Sequence, residues 1–220
     1  MRITVDISTF RDLIAGALVA AGTDATLPTL MCIGVEHDGA VLTCTSTDRY
    51  RLMSGAVEAP SDDGAGLVKP FLLARGDAES LLKALPSTAV KMRNGLVVVD
   101  IQNPNEYSST MIVTCGSTVM SFDGQPGTFP AWRKLIPNEA TVLDAGFHAI
   151  SFNPKLLASF DKVPHVRNSP ITLVMSGADN PAEIVIKHDH IEWSGVLMPV
   201  RDPSRVAVRW VGGAVDKNVA

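Results

Sequence analysis

The sequence predicts an α+β fold built from about three copies of a strand–helix–three-strand (βαβββ) unit. Three observations carry this prediction. Runs of alternating apolar and polar residues recur along the chain. Short segments with helical spacing interrupt them at intervals, each with its own stop or cap. Asp-Gly and Asn-Gly pairs stand between neighbouring runs, where antiparallel hairpins need tight turns.

The elements follow in order. RITVDI (2–7) alternates like a strand, and Ser8 is positioned to cap a helix. The apolar residues of that helix, Phe10, Leu13, Ile14, Ala17, Leu18 and Ala21, follow helical spacing, and Gly22 ends it. MCIGVEH (31–37), a turn at Asp38-Gly39, AVLTCTS (40–46) and YRLMSGAVE (50–58) complete the first unit. After the turn-rich APSDDGAG (59–66), GLVKPFLLA reads as a strand and DAESLLKAL (77–85) as a helix stopped by Pro86. AVKMR, LVVVDIQ and STMIVTC follow as strands, with a turn at Asn94-Gly95. DGQPGTFPAWRKLIPNEA (123–140), rich in Pro and Gly, reads as an interdomain linker.

A third unit starts near residue 147. FHAISF is a strand, Asn153 caps the helix KLLASFDKV with Pro154 at its first position, and ITLVMSG, AEIVIKH and HIEWSGVLMPV are strands. The expected organisation is a two-unit domain over 1–137, a one-unit half-domain over 141–202 and a C-terminal extension over 203–220. Two units side by side bury their helices on a common sheet, so the third lacks a partner within the chain.

With 46% apolar and 19% charged residues in 220, the composition is that of a soluble globular protein with length enough for a sizeable core. No apolar run reaches membrane-spanning length, and Met1 leads into a strand rather than a secretion signal. Cys32, Cys44 and Cys115 stand singly, which argues for a reducing compartment and against a disulfide framework or zinc site. Nineteen Lys and Arg against 23 Asp and Glu give a net charge of −4, unlike a simple nucleic-acid binder, although cations gathered on one face still attract phosphate.

Catalytic signatures are missing: there is no GxxxxGK loop, GxSxG elbow or HExxH pair. His188-Asp189-His190 reads as a polar turn or exposed edge, and Asp62-Asp63 as loop. Thr47 and Asp48 fit backbone hydrogen bonding at a turn. The sequence therefore predicts no enzyme, no cofactor and no metal. GVLMPVR (195–201) sets an adaptable methionine beside a proline at a strand end, which suits a core strand leaving its sheet.

Several stretches, in order, resemble the bacterial DNA polymerase III beta sliding clamp family: AAGTDATLPTL, VLTCTSTDRYRL, GTFPAWRKLIP, AISFNPKLL and GVLMPVR. Residues 1–137 resemble the family's middle domain, and the last two stretches the second half of its final domain. The first domain and the first half of the last have no counterpart, and residues 202–220 run past the usual stop. The resemblance implies a DNA-clamp fold with antiparallel sheets outside and short helices on the inner face. It implies a replication processivity factor that encircles duplex DNA as an oligomeric ring. The alternative is a non-encircling clamp-like module that recruits or sequesters polymerase. Implied partners are duplex DNA held nonspecifically, DNA polymerase and other clamp-motif proteins, a clamp loader, and further copies of the chain. The unit count favours a tetramer over the alternative trimer. The implied setting is a bacterial cytoplasm or that of a virus-infected bacterial host.

Carried over residue by residue, the resemblance implies a peptide-binding pocket. One wall is Leu30, Thr47, Arg51 and Leu52, the exit segment adds Pro130, Lys134 and Leu135, and the last unit adds Asn153, Leu156, Val196, Met198, Pro199 and Arg201. Leu156 stands where the family often has an aromatic side chain, and Arg49-Tyr50 where it has smaller residues. The implied DNA-facing residues are Arg11, Arg75, Lys83, Lys155, Lys162 and Arg167, a set suited to weak, salt-sensitive phosphate contact. The tail RVAVRWV (205–211) alternates, as a strand added to an open sheet edge would; a disordered end is the other reading.

Overall fold

A computed structural model of the chain describes residues 1–86, 95–102, 109–135, 150–164, 169–177, 179–187 and 191–200. Strand β1 (Arg2–Asp6) buries Ile3 and Val5 and exposes Arg2 and Thr4. It runs directly into helix α1 (Ile7–Leu18), which buries Phe10, Leu13, Ile14 and Ala17. The cap is Asp6 rather than Ser8: its Oδ1 accepts from the backbone N–H of Ser8 at 2.9 Å and of Thr9 at 3.1 Å. The helix also stops earlier than Gly22, after Leu18, and the N–H groups of residues 19–21 bond back three residues before the Gly22 N–H donates to Leu30 O. Strands β2 (Cys32–His37), β3 (Val41–Thr47) and β4 (Arg51–Glu58) form the expected meander, with Gly39 at φ 109° in its first turn.

The second unit departs more from expectation. Strand β5 is only Phe71–Ala74, because Pro70 cannot donate and Val68 is fully exposed. Helix α2 (Arg75–Ala84) follows, then β6 (Leu96–Gln102), β7 (Thr110–Cys115) and β8 (Thr118–Asp123). β8, of which only Asp123 falls in the expected linker and the rest in no expected element, is a strand turned back by Gly116 at φ 59°. AVKMR and Asn94 lie outside the described residues. The two units exchange first strands. β1 pairs with β6 in a four-stranded sheet ordered β1-β6-β7-β8, and β5 pairs with β2 in the other sheet. α1 packs against α2 and onto β3 and β4.

The third unit has helix α3 (Pro154–Ala158), capped by Asn153 Oδ1 on the Lys155 N–H at 2.9 Å with Pro154 at its first position, as expected. A 3₁₀ turn, Ser159–Lys162, continues it. Strands β9 (Thr172–Val174), β10 (Ala182–Lys187) and β11 (Glu192–Leu197) follow. Residues 150–152 of the expected strand FHAISF are not a strand, although Ser151 O accepts the Val200 N–H at 2.7 Å; residues 147–149 lie outside the described residues.

The third unit is not without a partner. β11 lies antiparallel on β4, from Glu192↔Ala56 to Leu197↔Arg51, and extends the first unit's sheet to seven strands, β5-β2-β3-β4-β11-β10-β9. Trp193, buried, sits in a slot between α1 and β4 that exists because Gly16 and Gly55 have no side chain. A Cβ on Gly55 would meet the indole at 2.5 Å and Leu13 at 2.8 Å, and one on Gly16 would overlap the indole. Isolated glycines inside a helix and a strand are the sequence marks of such a close approach. No helix among the described residues is long and apolar enough to cross a membrane.

Candidate functional site

The β3–β4 hairpin tip meets the third unit, and its conformation follows from its sequence. Asp48 Oδ1 accepts the backbone N–H groups of Tyr50 and Arg51, both at 3.0 Å. The Thr47 hydroxyl donates to Arg51 O at 2.9 Å and accepts the Arg49 N–H at 3.3 Å. Both side chains have the backbone role expected of them. The turn holds Arg49 at φ 78°, a left-handed conformation that is uncommon for a residue with a Cβ. Its guanidinium lies 5.7 Å from the centre of the Tyr50 ring, which is exposed.

Two connections run from this tip to the third unit. The Met198 N–H donates to Tyr50 O at 2.9 Å, which seats the Met-Pro end of β11 on the hairpin. The Arg51 guanidinium pairs with Asp48 at 3.0 Å and donates to the Ser159 hydroxyl, which in turn donates to Leu156 O at 2.6 Å. Arg51 is thus a tie between units. Asn153 spends its side chain on the α3 cap, and Leu156 is half-buried against the main core.

Leu52 and Val196, opposite each other in the β4–β11 ladder, are each only 1% exposed. They form a second apolar cluster with Cys32, Leu72, Phe129 and Trp132. The exit segment that reads as linker therefore covers them, and they underlie the surface instead of lining an open wall. Trp132 Nε1–H donates to Glu36 at 3.4 Å, and Arg133 pairs with Glu36 at 2.5 Å while stacking on the indole at 4.3 Å. Of the other exit residues, Pro130 is half-buried, and Lys134 and Leu135 are exposed on a 3₁₀ turn, Trp132–Leu135; in the last unit, Met198 and Pro199 are half-buried.

A cleft of about 490 Å³ opens beside the hairpin tip. Its apolar side is Leu18, Leu27 and Leu30, its rim is Tyr50, and its charged groups are Arg49, Arg51, Arg75 and Lys162 with Asp24 and Asp48. The cleft joins Leu30 and Arg51 of the implied peptide set to Arg75 and Lys162 of the implied DNA-facing set. Pro130, Lys134, Leu135, Val196, Met198 and Pro199 do not line it. Arg167 and Arg201 lie outside the described residues, as do His188, Asp189, His190 and the tail 205–211.

The DNA-facing set divides too. Arg11 donates to Leu82 O and to Leu85 O at 3.0 Å, so it satisfies carbonyls at the end of α2 and fastens the two helices together. Arg75 donates to Ala21 O at 2.7 Å and pairs with Glu79 at 3.0 Å. Lys83, Lys155 and Lys162 are exposed. Burial, with a smaller effect of the Asp77 charge, pushes the Cys32 thiol up to about 11, and burial raises Cys44 as well, so neither is a ready nucleophile. Among the described residues no group of three or more His, Cys, Asp or Glu could hold a metal. Asp62 pairs loosely with Arg2 at 3.8 Å and Asp63 closes a turn on the Ala65 N–H, as loop residues do.

No family model matches the sequence. Solved structures do match the fold. A DNA polymerase sliding clamp from Pseudomonas aeruginosa superposes with a TM-score of 0.70 at 14% identity, over 91% of this chain and 67% of that one. The sliding clamp from Bacillus subtilis gives 0.68 at 16% identity, over 92% and 64%. The DNA polymerase III beta subunit from Bartonella birtlesii gives 0.64 at 20% identity, over 91% and 66%. The chain is thus structurally similar to DNA polymerase III beta sliding clamps and spans about two thirds of their length. Its α+β architecture, antiparallel sheets with few helices, is that of clamp domains.

Proposed function

We propose that this clamp-like chain is a non-enzymatic processivity factor: copies of it assemble into a ring around duplex DNA and hold replication proteins by a short peptide. The observation that supports this reading best is the β4–β11 junction. It seats the Met198-Pro199 end on the hairpin tip, whose Tyr50 and Arg51 border the cleft that holds the half-buried Leu30. An apolar cleft wall of Leu18, Leu27 and Leu30 beside Arg49 and Arg51 suits a peptide with leucine-like and acidic residues. Lys83, Lys155 and Lys162 supply diffuse positive charge for nonspecific phosphate contact, and a clamp loader is a further partner compatible with this reading.

The test is topological. The assembled protein is expected to stay on closed circular DNA and to be lost when the circle is cut; equal loss from both would remove the ring. For the peptide site, Leu30→Ala with Met198→Ala is expected to weaken a polymerase-derived peptide at least tenfold while the particle mass holds. Unchanged affinity would remove the site.

A second reading has its own support. Arg11 and Arg75 are spent on backbone carbonyls and the chain carries a net charge of −4, which suits a module that recruits or sequesters polymerase without encircling DNA. Peptide binding without retention on circles would favour it.

A further inference from the structure

In the first two units the strand that follows the helix is covered by a borrowed one. β2 is flanked by β5 and β6 by β1, both antiparallel, and each covering strand is the first strand of the other unit. β9 is the third unit's counterpart of β2 and β6. It pairs with β10, ends the seven-stranded sheet, and has its outer side unpaired among the described residues. We propose that residues 205–211 of the same chain supply the missing strand, running antiparallel along the outer edge of β9.

The inner face of the sheet is unfinished at this edge. Trp193 and Leu197 of β11 and Ala182, Ile184 and Ile186 of β10 are buried, none more than 3% exposed. Leu173 lies opposite Ile184, and the same register carried one step past each end of β9 sets Ile171 opposite Ile186 and Met175 opposite Ala182. Ile171 and Leu173 pack on the core but are only half-buried, and Met175 is 42% exposed. The corresponding rows of the covered strands are closed: Ile33 and Val35 on β2, and Val97, Val99 and Ile101 on β6, are buried. Ile171–Met175 contains no charge and no proline, two usual guards of an edge left in solvent.

The tail fits that edge in pattern, direction and reach. Val206, Val208 and Trp210 alternate onto one face of RVAVRWV, as Met175, Leu173 and Ile171 do on β9. Antiparallel pairing that joins the two rows sets Val206 against Met175, Val208 against Leu173 and Trp210 against Ile171, with Arg209 on the outer face beside the exposed Thr172. The tail enters from the required end. Leu197 stands in the row of Ala182 and Met175, so the chain leaves β11 where β9 finishes and must run back along it. The place for Val206 is three strand spacings from Leu197, about 14 Å, and Val200 is three residues beyond Leu197, about 10 Å along the strand. The gap from Val200 is therefore about 17 Å, and the six residues to Val206 span up to about 20 Å. So short a tether holds the tail at roughly millimolar effective concentration, which favours it over a strand from a second copy.

The 220-residue chain carrying Cys115→Ser, Thr172→Cys and Arg209→Cys is expected to form a disulfide within one chain on mild oxidation, at a rate independent of protein concentration. Val208→Cys in place of Arg209→Cys puts the thiols on opposite faces and is expected to link far more slowly. A Thr172–Arg209 pair that stays reduced, or a control that links equally fast, would overturn the pairing. So would a link that forms only between chains, seen by mixing the two single-cysteine proteins, because a second copy would then hold the edge. Removing residues 203–220 leaves every described element in place and is expected to speed amide exchange in β9 roughly tenfold, with β8 unaffected. Unchanged exchange in β9, or release of β8 instead, would remove the tail from this edge. None of these readouts involves DNA or a peptide, so the pairing stands or falls apart from the ring.

Discussion

The first unit holds its two neighbours by different means. With the second unit it exchanges strands: β1 lies in one sheet against β6, β5 in the other against β2, and α1 packs on α2 within a shared core. With the third unit it shares one ladder, one indole in a glycine slot, one arginine tie and, without strand exchange, part of the same apolar core through Phe160, Ile184 and Leu197. Exchange spreads a contact over two sheets, so neither unit can leave without unzipping both. An edge junction concentrates its strength in a few side chains. The expectation is that units one and two unfold together while the third can open on its own.

Trp193→Ala tests this most severely. Emptying the slot is expected to cost about 3–5 kcal/mol, and the loss should fall on the third unit, giving an early urea transition and faster amide exchange in β9–β11. If all elements lose protection equally, the two junctions are alike and the comparison fails. Ile3→Ala probes the other side. Ile3 is fully buried in β1, and its truncation is expected to cost about 2–5 kcal/mol in a single transition of units one and two, with the third carried along.

Gly55→Ala refines the picture by overfilling the slot instead of emptying it. The added methyl lies 2.5 Å from the indole, so about 1–3 kcal/mol should be lost, again at the third unit. In a Trp193→Ala background the same change should cost little, and a double-mutant cycle on urea midpoints reads the difference. Arg51→Met comes next. Arg51 and Asp48 are mostly buried side chains, at 16% and 18% exposure, and losing the tie to Ser159 should cost about 1 kcal/mol. Asp48 keeps its two backbone partners, so the hairpin tip should persist while third-unit exchange quickens.

How much of this was legible depended on the range of the interaction. The strands of the first unit alternate, and Asp38-Gly39 announces its hairpin, so local pattern sufficed. β8 escaped because an edge strand has little burial to imprint: its residues are exposed or half-buried and its turn is Gly-Ser rather than Asn-Gly. Strand exchange and the β4–β11 ladder are pairings between distant segments, which periodicity does not encode. Gly16 and Gly55 did carry a signal, since a helix and a strand each tolerate glycine at a cost unless something lies against it. In the site, residue type was a poor guide to availability. Arg11 and Arg75 look like free cations until another segment's carbonyls meet them. Leu52 and Val196 look like groove walls until Phe129 and Trp132 cover them.

The smallest expected effect sits at α1, the helix both junctions use, and it is a matter of pH. Burial alone would raise the Asp6 carboxyl, but hydrogen bonds from Ser8 and Thr9 outweigh it and hold it below its usual 3.8. A carboxyl whose folded value is depressed gives up its proton more readily in the native state. Its contribution is therefore fully present above about 3.8 and is lost as the pH falls through the lower folded value. Asp6→Asn keeps an acceptor for the cap and removes the charge, so at neutral pH it should cost about 0.3–1 kcal/mol, toward the lower end because solvent screens the site. Urea midpoints of the two proteins should differ at neutral pH and converge on acidification below 3.8. Asp24, Asp38 and Asp63 are held low by similar bonds to the chain, so Asp6→Asn should still lose stability in acid, only less steeply. Because α1 supports both neighbours, the Asp6→Asn loss should appear in the third unit and in the exchanged pair alike. A loss confined to β9–β11 would mean that the start of the helix serves the edge junction alone.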